Sequence, residues 1–254
     1  MDKEILNRIT LLEGQLTEVT VAREKAERAL RARSASIATA SHEMRTCLNG
    51  ILGFAGMLVD FVEDDEHKQW SSAIQKSGEH LLELLNDILD KAKIESGRAI
   101  LSLQSERTVD FFKSAVEIHH AHARKQGLLL LEDYSEAPEF VNIDPKRVRQ
   151  VMNNLINNAI KFTESGSVTV TVSTVSEGRA KVSVRDTGAG ISPLDHELIF
   201  EEYRQLDNQQ TARGGGTGLG LPTCREICRL MGTDIKVDSD LGQGCEFSFE
   251  ISRN

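Results

Sequence analysis

Apolar residues at alternating steps of three and four run through the first quarter of the chain, and they limit its fold more than any other feature. Ile5, Ile9, Leu12, Leu16, Val19, Ala26 and Leu30 share one frame, which continues through Ile37, Ala40, Met44, Cys47, Ile51, Phe54, Leu58 and Phe61. Such spacing makes a helix with one narrow apolar stripe, the seam of a coiled coil or bundle. Arg23 and Arg33 interrupt the frame, so the register is expected to loosen there. VEDDEHK (Val62 to Lys68) predicts a polar turn. A second stripe follows at Trp70, Ile74, Ser77, Leu81, Leu84, Ile88 and Ala92, with Gly97 as the expected C-cap. Two antiparallel helices bury too little alone; a second copy would close them into a four-helix bundle.

From about Ala99 the pattern changes. LSLQSER and LLLLEDY predict strands, and TVDFFKSAVEIHHAHARKQG between them predicts one helix ended by Gly127. Asp144-Pro145 opens a further helix, with Asp as N-cap and Pro at the first helical position, running to about Phe162. SVTVTVSTV and RAKVSVRD alternate as strands around a turn at Ser176-Glu177-Gly178-Arg179. GGGTGLGL precedes a helix ending near Met231, and DIKVDS with CEFSFEI forms a closing hairpin. The class is α+β: a helical hairpin followed by an α/β sandwich with its helices on one face.

Composition narrows the function. A net charge of −9 argues against nucleic acid as the main partner. No apolar run approaches the roughly 18–20 residues that span a bilayer. The start, MDKEILNRIT, is charged and amphipathic, unlike a secretory signal. Cys47, Cys224, Cys228 and Cys245 have no CxxC or disulfide-dense spacing, which suits a reducing, cytoplasmic setting.

Four constellations carry chemistry. His42 falls off the seam, with Glu43 beside it and Arg45 and Thr46 on its face. It is either an ordinary surface histidine or a nucleophile oriented by Glu43. Asn154 and Asn158 lie one turn apart with Lys161 beyond; they are either plain helix surface or a Mg²⁺ and phosphate site. Asp186-Thr187-Gly188-Ala189-Gly190 follows a strand, where a carboxylate can accept from an exocyclic amine. Gly214 to Gly220 precede a helix, so their N–H groups can cradle phosphate or their glycines can serve as a lid hinge. FEEYRQLDNQQTAR between the last two predicts a long lid carrying Arg204.

In this order, the four resemble the histidine kinases of two-component systems, over essentially the whole length from about residue 34. ASHEMRT resembles their H box, NNLINNAIKFT the N box, and DTGAGI, FEEYRQLD and GTGLGL the G1, F and G2 boxes. Ser77 to Gly97 is similar to the second dimerisation helix of the hybrid kinases. The resemblance implies an input coiled coil (1–33), a dimerisation and phosphotransfer domain (34–97) and a catalytic domain (99–254) of the histidine kinase, gyrase and chaperone type. His42 would accept the γ-phosphoryl group of ATP, and Glu43 would orient or deprotonate it. Asn154 would ligate Mg²⁺, with Asn158 near it, while Lys161 and Arg204 would contact phosphates. Asp186 would bind the adenine amine, with Gly188 and Gly190 admitting the nucleotide. Gly216, Gly218, Leu219 and Gly220 would shape the lid and phosphate loop. Thr46 would place a water that hydrolyses a partner's phospho-aspartate. The implied partners are a second copy of the chain and a response-regulator receiver domain, and Ile94 to Ala99 would be the interdomain hinge. A coil that begins abruptly suggests the cytoplasmic portion of a larger sensor.

One position leaves the pattern: Cys47 stands where most such H boxes have proline. A straighter helix below His42 is expected, with an altered kinase–phosphatase balance. Free cysteine more often acts as a small buried hydrophobe than as a redox group. The rival functions are a pseudokinase scaffold, a phosphatase-biased sensor and a gyrase- or chaperone-type ATPase. A zinc hydrolase is excluded because no second histidine follows His42-Glu43. His119, His120 and His122 are expected on a solvated helix face, Cys224 and Cys228 in the core, and Trp70 in the core of the hairpin.

Overall fold

The computed structural model describes residues 18–21, 25, 37, 40, 41, 44–59, 64–96, 99–204 and 218–253. The expected coil over 1–33 lies almost wholly outside these residues, as do Gly97 and most of the lid. The chain divides into two compact units, Met1–Ala99 and Ile100–Asn254.

In the first unit, helix α1 (residues 44–59) precedes α2 (Asp65–Glu95). Asp64 starts α2 inside the polar turn, because its carboxylate accepts from the N–H groups of Glu66 and His67 at 2.9 and 3.1 Å. The helix ends at Glu95, within the first two residues of the Ile94 to Ala99 stretch, and Ser96 caps it. Ser71, Gly78, Leu85, Leu89 and Ala92 of α2 are buried, as are Leu48 and Ala55 of α1. A Cβ on Gly78 would lie 2.8 Å from Leu52 Cδ2, so glycine sets the close approach of the helices. Arg45 Nη2 donates to Asn86 Oδ1 at 2.8 Å.

Of the predicted α2 stripe only Ala92 falls on this buried inner seam. Met44, Ile51, Phe54 and Leu58 on α1, and Trp70, Ile74, Leu81 and Ile88 on α2, are exposed. Trp70 is thus not core: it is 55% exposed, with its ring edge-on to His67. Cys47 is also exposed in the single chain. The hairpin has two apolar faces of one periodicity, and the smaller residues face inward because they permit close packing.

The second unit is a seven-stranded mixed sheet under three principal helices. Its elements are β1 (Gln104–Arg107), α3 (Thr108–Glu117), α4 (His120–Lys125), β2 (Leu129–Asp133), β3 (Phe140–Ile143), α5 (Pro145–Phe162), β4 (Ser167–Ser176), β5 (Arg179–Asp186), α6 (Gly220–Leu230), β6 (Lys236–Ser239) and β7 (Cys245–Arg253). The strand order is β1-β3-β7-β5-β4-β2, with β6 on β7. Only β2–β4 is parallel. Val168, Val170, Val172, Val182, Val184, Phe249 and Ile251 alternate inward against Phe112, Val116, Val151, Leu155, Ile156 and Ile227 of the helices. The outer face is polar, with Lys181 paired to Glu246 at 2.7 Å. Asp144 caps α5 as expected, accepting from Lys146 and Arg147 N–H at 3.1 Å.

Three expectations need correction. LSLQSER contributes only four residues to β1, and β3 was not foreseen, its four residues being too few to show alternation. The single helix over 108–127 is two helices, because His119 N–H bonds the Val116 carbonyl in the tight i−3 pattern. His119 is buried, not solvated: it falls on the inward stripe of Phe112, Val116 and Ala123, and Asn153 Oδ1 meets its Nε2 at 3.1 Å. Burial holds its imidazole below the ordinary histidine pKa, so the neutral ring packs there.

Candidate nucleotide-binding site

The described site residues of the second unit gather where α5, the end of β5 and the start of α6 meet. Helix periodicity puts Asn154 and Asn158 on one face, and Asn158 Nδ2 donates to Asn154 Oδ1 at 3.1 Å. Gly220, the first residue of α6, packs directly on the Asn154 amide, and a Cβ there would collide with it. Leu219 is buried beneath this junction. The Lys161 ammonium lies 5.1 Å from the Phe162 ring centroid, and partial desolvation lowers its pKa.

Asp186 ends β5 and is 7% exposed. Its Oδ1 accepts from Gly188 N–H at 2.8 Å, and Cys245 N–H also donates to the carboxylate. Burial raises the Asp186 pKa and these two bonds pull it back; burial dominates. A Cβ on Gly188 would lie 2.5 Å from the Phe162 carbonyl, which locks the loop onto the end of α5. Gly190 has φ +70° and lies against the Asp240 carbonyl, where no side chain fits.

Arg204 bonds Glu201 at 3.3 Å. Beside it Tyr203, at φ 58°, donates its N–H to the Gly218 carbonyl at 3.0 Å, so the F-box and G2 segments are joined at the backbone. Arg225 on α6 braces this base. It bonds Glu197 at 2.8 Å and Asp234 at 3.3 Å, and covers the Phe200 ring at 4.7 Å. Thr46 belongs to the other unit, on the exposed part of α1. His42, Glu43 and Gly216 lie outside the described residues.

Sequence reasoning placed the β6–β7 hairpin but missed that its turn, Ser239 to Cys245, packs on the Asp186 loop. Gly242 N–H donates to the Ala189 carbonyl at 2.6 Å, and Gly244 packs on the Asp186 carbonyl. The Gly-Gln-Gly step before β7 was its one local signal. The Cys245 thiol is pushed up to about 12, first by burial and then by the Asp186 charge, so it remains protonated.

Two family models match. Residues 32–97 match the His Kinase A (phospho-acceptor) domain, and residues 143–254 match the histidine kinase-, DNA gyrase B- and HSP90-like ATPase. The chain belongs to the sensor histidine kinases, with a phospho-acceptor hairpin followed by an ATPase-type sandwich. It is 36% identical to the sensor protein GacS of Pseudomonas syringae pv. syringae over 96% of its own length and 28% of that protein's. It is 35% identical to hybrid signal transduction histidine kinase B of Dictyostelium discoideum over 93% of its length and 12% of that protein's. The chain therefore spans about a quarter or less of these relatives. Full-length ShkA, solved with AMPPNP, superimposes with a TM-score of 0.74 at 35% identity, covering 86% of this chain and 46% of that one.

Proposed function

We propose that the chain binds ATP at the α5–β5–α6 junction and transfers its γ-phosphoryl group to His42. The observation that carries this is the convergence of Asp186, the Asn154–Asn158 pair and the start of α6 on one surface. AMPPNP in ShkA supports the nucleotide class. Asp186 accepts from the adenine amine, and Lys161 and Arg204 neutralise phosphate charge. Gly188 and Gly190 would admit the nucleotide, and the G2 residues Gly216, Gly218, Leu219 and Gly220 would shape the lid and phosphate loop. A His42 ring nitrogen attacks the γ-phosphorus as the bond to the β–γ bridging oxygen breaks, ADP leaves, and Glu43 takes the ring N–H proton. The phosphoryl group then passes to an aspartate of a receiver domain and frees the imidazole. Thr46 orients a water that hydrolyses the phospho-aspartate of the receiver domain, releasing inorganic phosphate.

The site suits Mg²⁺. The Asn154 amide oxygen accepts from Asn158 and keeps a second lone pair. The described residues contain no cluster of three or more His, Cys, Asp or Glu, so phosphate oxygens and water would supply the remaining ligands. When bound, the ion would neutralise charge developing on the transferred group.

The outer apolar face of the hairpin favours a homodimer. Met44, Ile51, Phe54, Leu58, Trp70, Ile74 and Leu81 are large apolar side chains left exposed on the hairpin, and exposed apolar residues gathered on one element mark an interaction surface. A groove of about 340 Å³ lies within it, lined by Ala40, Met44, Cys47, Leu48, Ile51, Leu81 and Leu85. A second hairpin laid on this face completes a four-helix bundle and buries Cys47.

The test is incubation of the chain with labelled ATP and Mg²⁺. An acid-labile, base-stable label is expected, and it should vanish in His42→Gln. Nucleotide binding without any label would favour the pseudokinase scaffold. Cys47 sits in an unbroken helical run, and proline inside a helix costs about 3 kcal/mol and bends it. Cys47→Pro is therefore expected to shift the ratio of autophosphorylation to phospho-receiver hydrolysis. Equal rates in both assays would remove any role for this residue in the balance.

A further inference from the structure

We propose that Ser239 is a positioning residue for adenine recognition, acting through Asp186; the inference rests on the nucleotide-site reading above. Ser239 ends β6 and is 7% exposed. Its hydroxyl donates to the Gly244 carbonyl at 2.7 Å and accepts from the Ile191 N–H at 2.8 Å. One buried oxygen therefore ties the exit of the Asp186–Gly190 loop to the turn that leads into β7.

Those two segments hold the donors to the Asp186 carboxylate. Gly188 N–H comes from the loop, and Cys245 N–H comes from the turn. Ser239 thus sets the spacing of the two N–H groups that orient the carboxylate. Adjacent contacts reinforce the clamp. His196 Nε2 meets the Ser239 carbonyl at 3.0 Å, and Gly242 N–H bonds the Ala189 carbonyl. A serine hydroxyl is one donor and two acceptors, so it serves both sides at once. Alanine would leave the Ile191 N–H and the Gly244 carbonyl without their partner, and the loop would drift from the turn. The α5 and α6 contacts on the phosphate side do not pass through this hydroxyl.

The role predicts a split between the two ends of the nucleotide. In Ser239→Ala, the KM for ATP should rise about tenfold while kcat stays within about twofold. The preference for ATP over GTP should fall, and inorganic tripolyphosphate should inhibit as well as before. Ser239→Thr, which keeps the hydroxyl, should restore the KM. If the alanine chain does not fold, Ser239→Cys keeps the volume, weakens both bonds, and should show the same split. Asp186→Asn is the reference. If it leaves ADP affinity unchanged, the adenine site itself is misassigned. If it abolishes ADP binding while Ser239→Ala and Ser239→Cys leave the KM and base preference unchanged, the positioning role is overturned. An equal loss of ATP and tripolyphosphate binding also overturns it, since that marks a general structural role.

Discussion

Asp186→Asn is expected to weaken ADP and ATP binding roughly 30- to 150-fold, the equivalent of about 2–3 kcal/mol for a hydrogen bond to a buried charge. Its effect on the fold should be opposite. Burial raises the Asp186 pKa above the ordinary carboxylate value, so the folded chain holds this proton more tightly than the unfolded one. Stability associated with the group is complete below the unfolded carboxylate pKa of about 4 and is lost as pH rises through the raised folded value. Asparagine carries no charge to bury. The variant should therefore unfold at the same temperature as the wild type or higher at pH 7, and its advantage should shrink as pH falls toward 4. Calorimetric ADP titration and thermal unfolding across that range check both parts. Intact ADP affinity would remove Asp186 from the site; a variant destabilised equally at every pH would contradict the electrostatic account.

Ile51→Glu combined with Leu81→Glu is expected to leave the chain monomeric. Both residues are about half exposed in the single chain and line the same apolar groove. Across a two-fold interface each substitution acts twice, placing unpaired carboxylates in an apolar seam at several kcal/mol of desolvation. Because neither residue is buried within its own hairpin, the fold of each chain should survive. Light scattering should give one species near the 28.1 kDa of a single chain for the variant, and twice that mass for the unaltered protein. ADP binding should persist, because the described nucleotide site lies wholly in the other unit. A dimer that withstands both glutamates would place the interface elsewhere. A pair of substitutions on the inner seam, such as Leu85→Glu with Leu89→Glu, should instead unfold the hairpin.

The elements that sequence revealed share one property: their determinants are local. Asp144-Pro145 starts a helix because a carboxylate two and three residues before bare N–H groups caps them. Asn154 and Asn158 meet because four residues make about one helical turn. Asp186 and Gly188 bond within a single turn of chain. The failures were non-local. His119 was read by its polarity, and its burial depended on an amide of α5, 34 residues away. Ser239 carries no motif at all, and its importance comes from Ile191, 48 residues distant.

What the sequence by itself determined was therefore the set of parts: a helical hairpin with apolar stripes, an alternating-strand sheet, and four motifs, two on helices and two in glycine-bearing loops. Each is written in periodicity or in contacts within one turn, which neighbouring residues settle alone. Only the tertiary structure decided which stripe faces inward, since Trp70-Ile74-Leu81-Ile88 and Ser71-Gly78-Leu85-Ala92 have the same helical period. The choice went to the face where Ser71, Gly78 and Ala92 let two backbones approach, and that left the Trp70-Ile74-Leu81-Ile88 face exposed. Tertiary structure alone also brought the β6–β7 turn behind Asp186, because strand pairing across a sheet joins residues that spacing along the chain cannot relate.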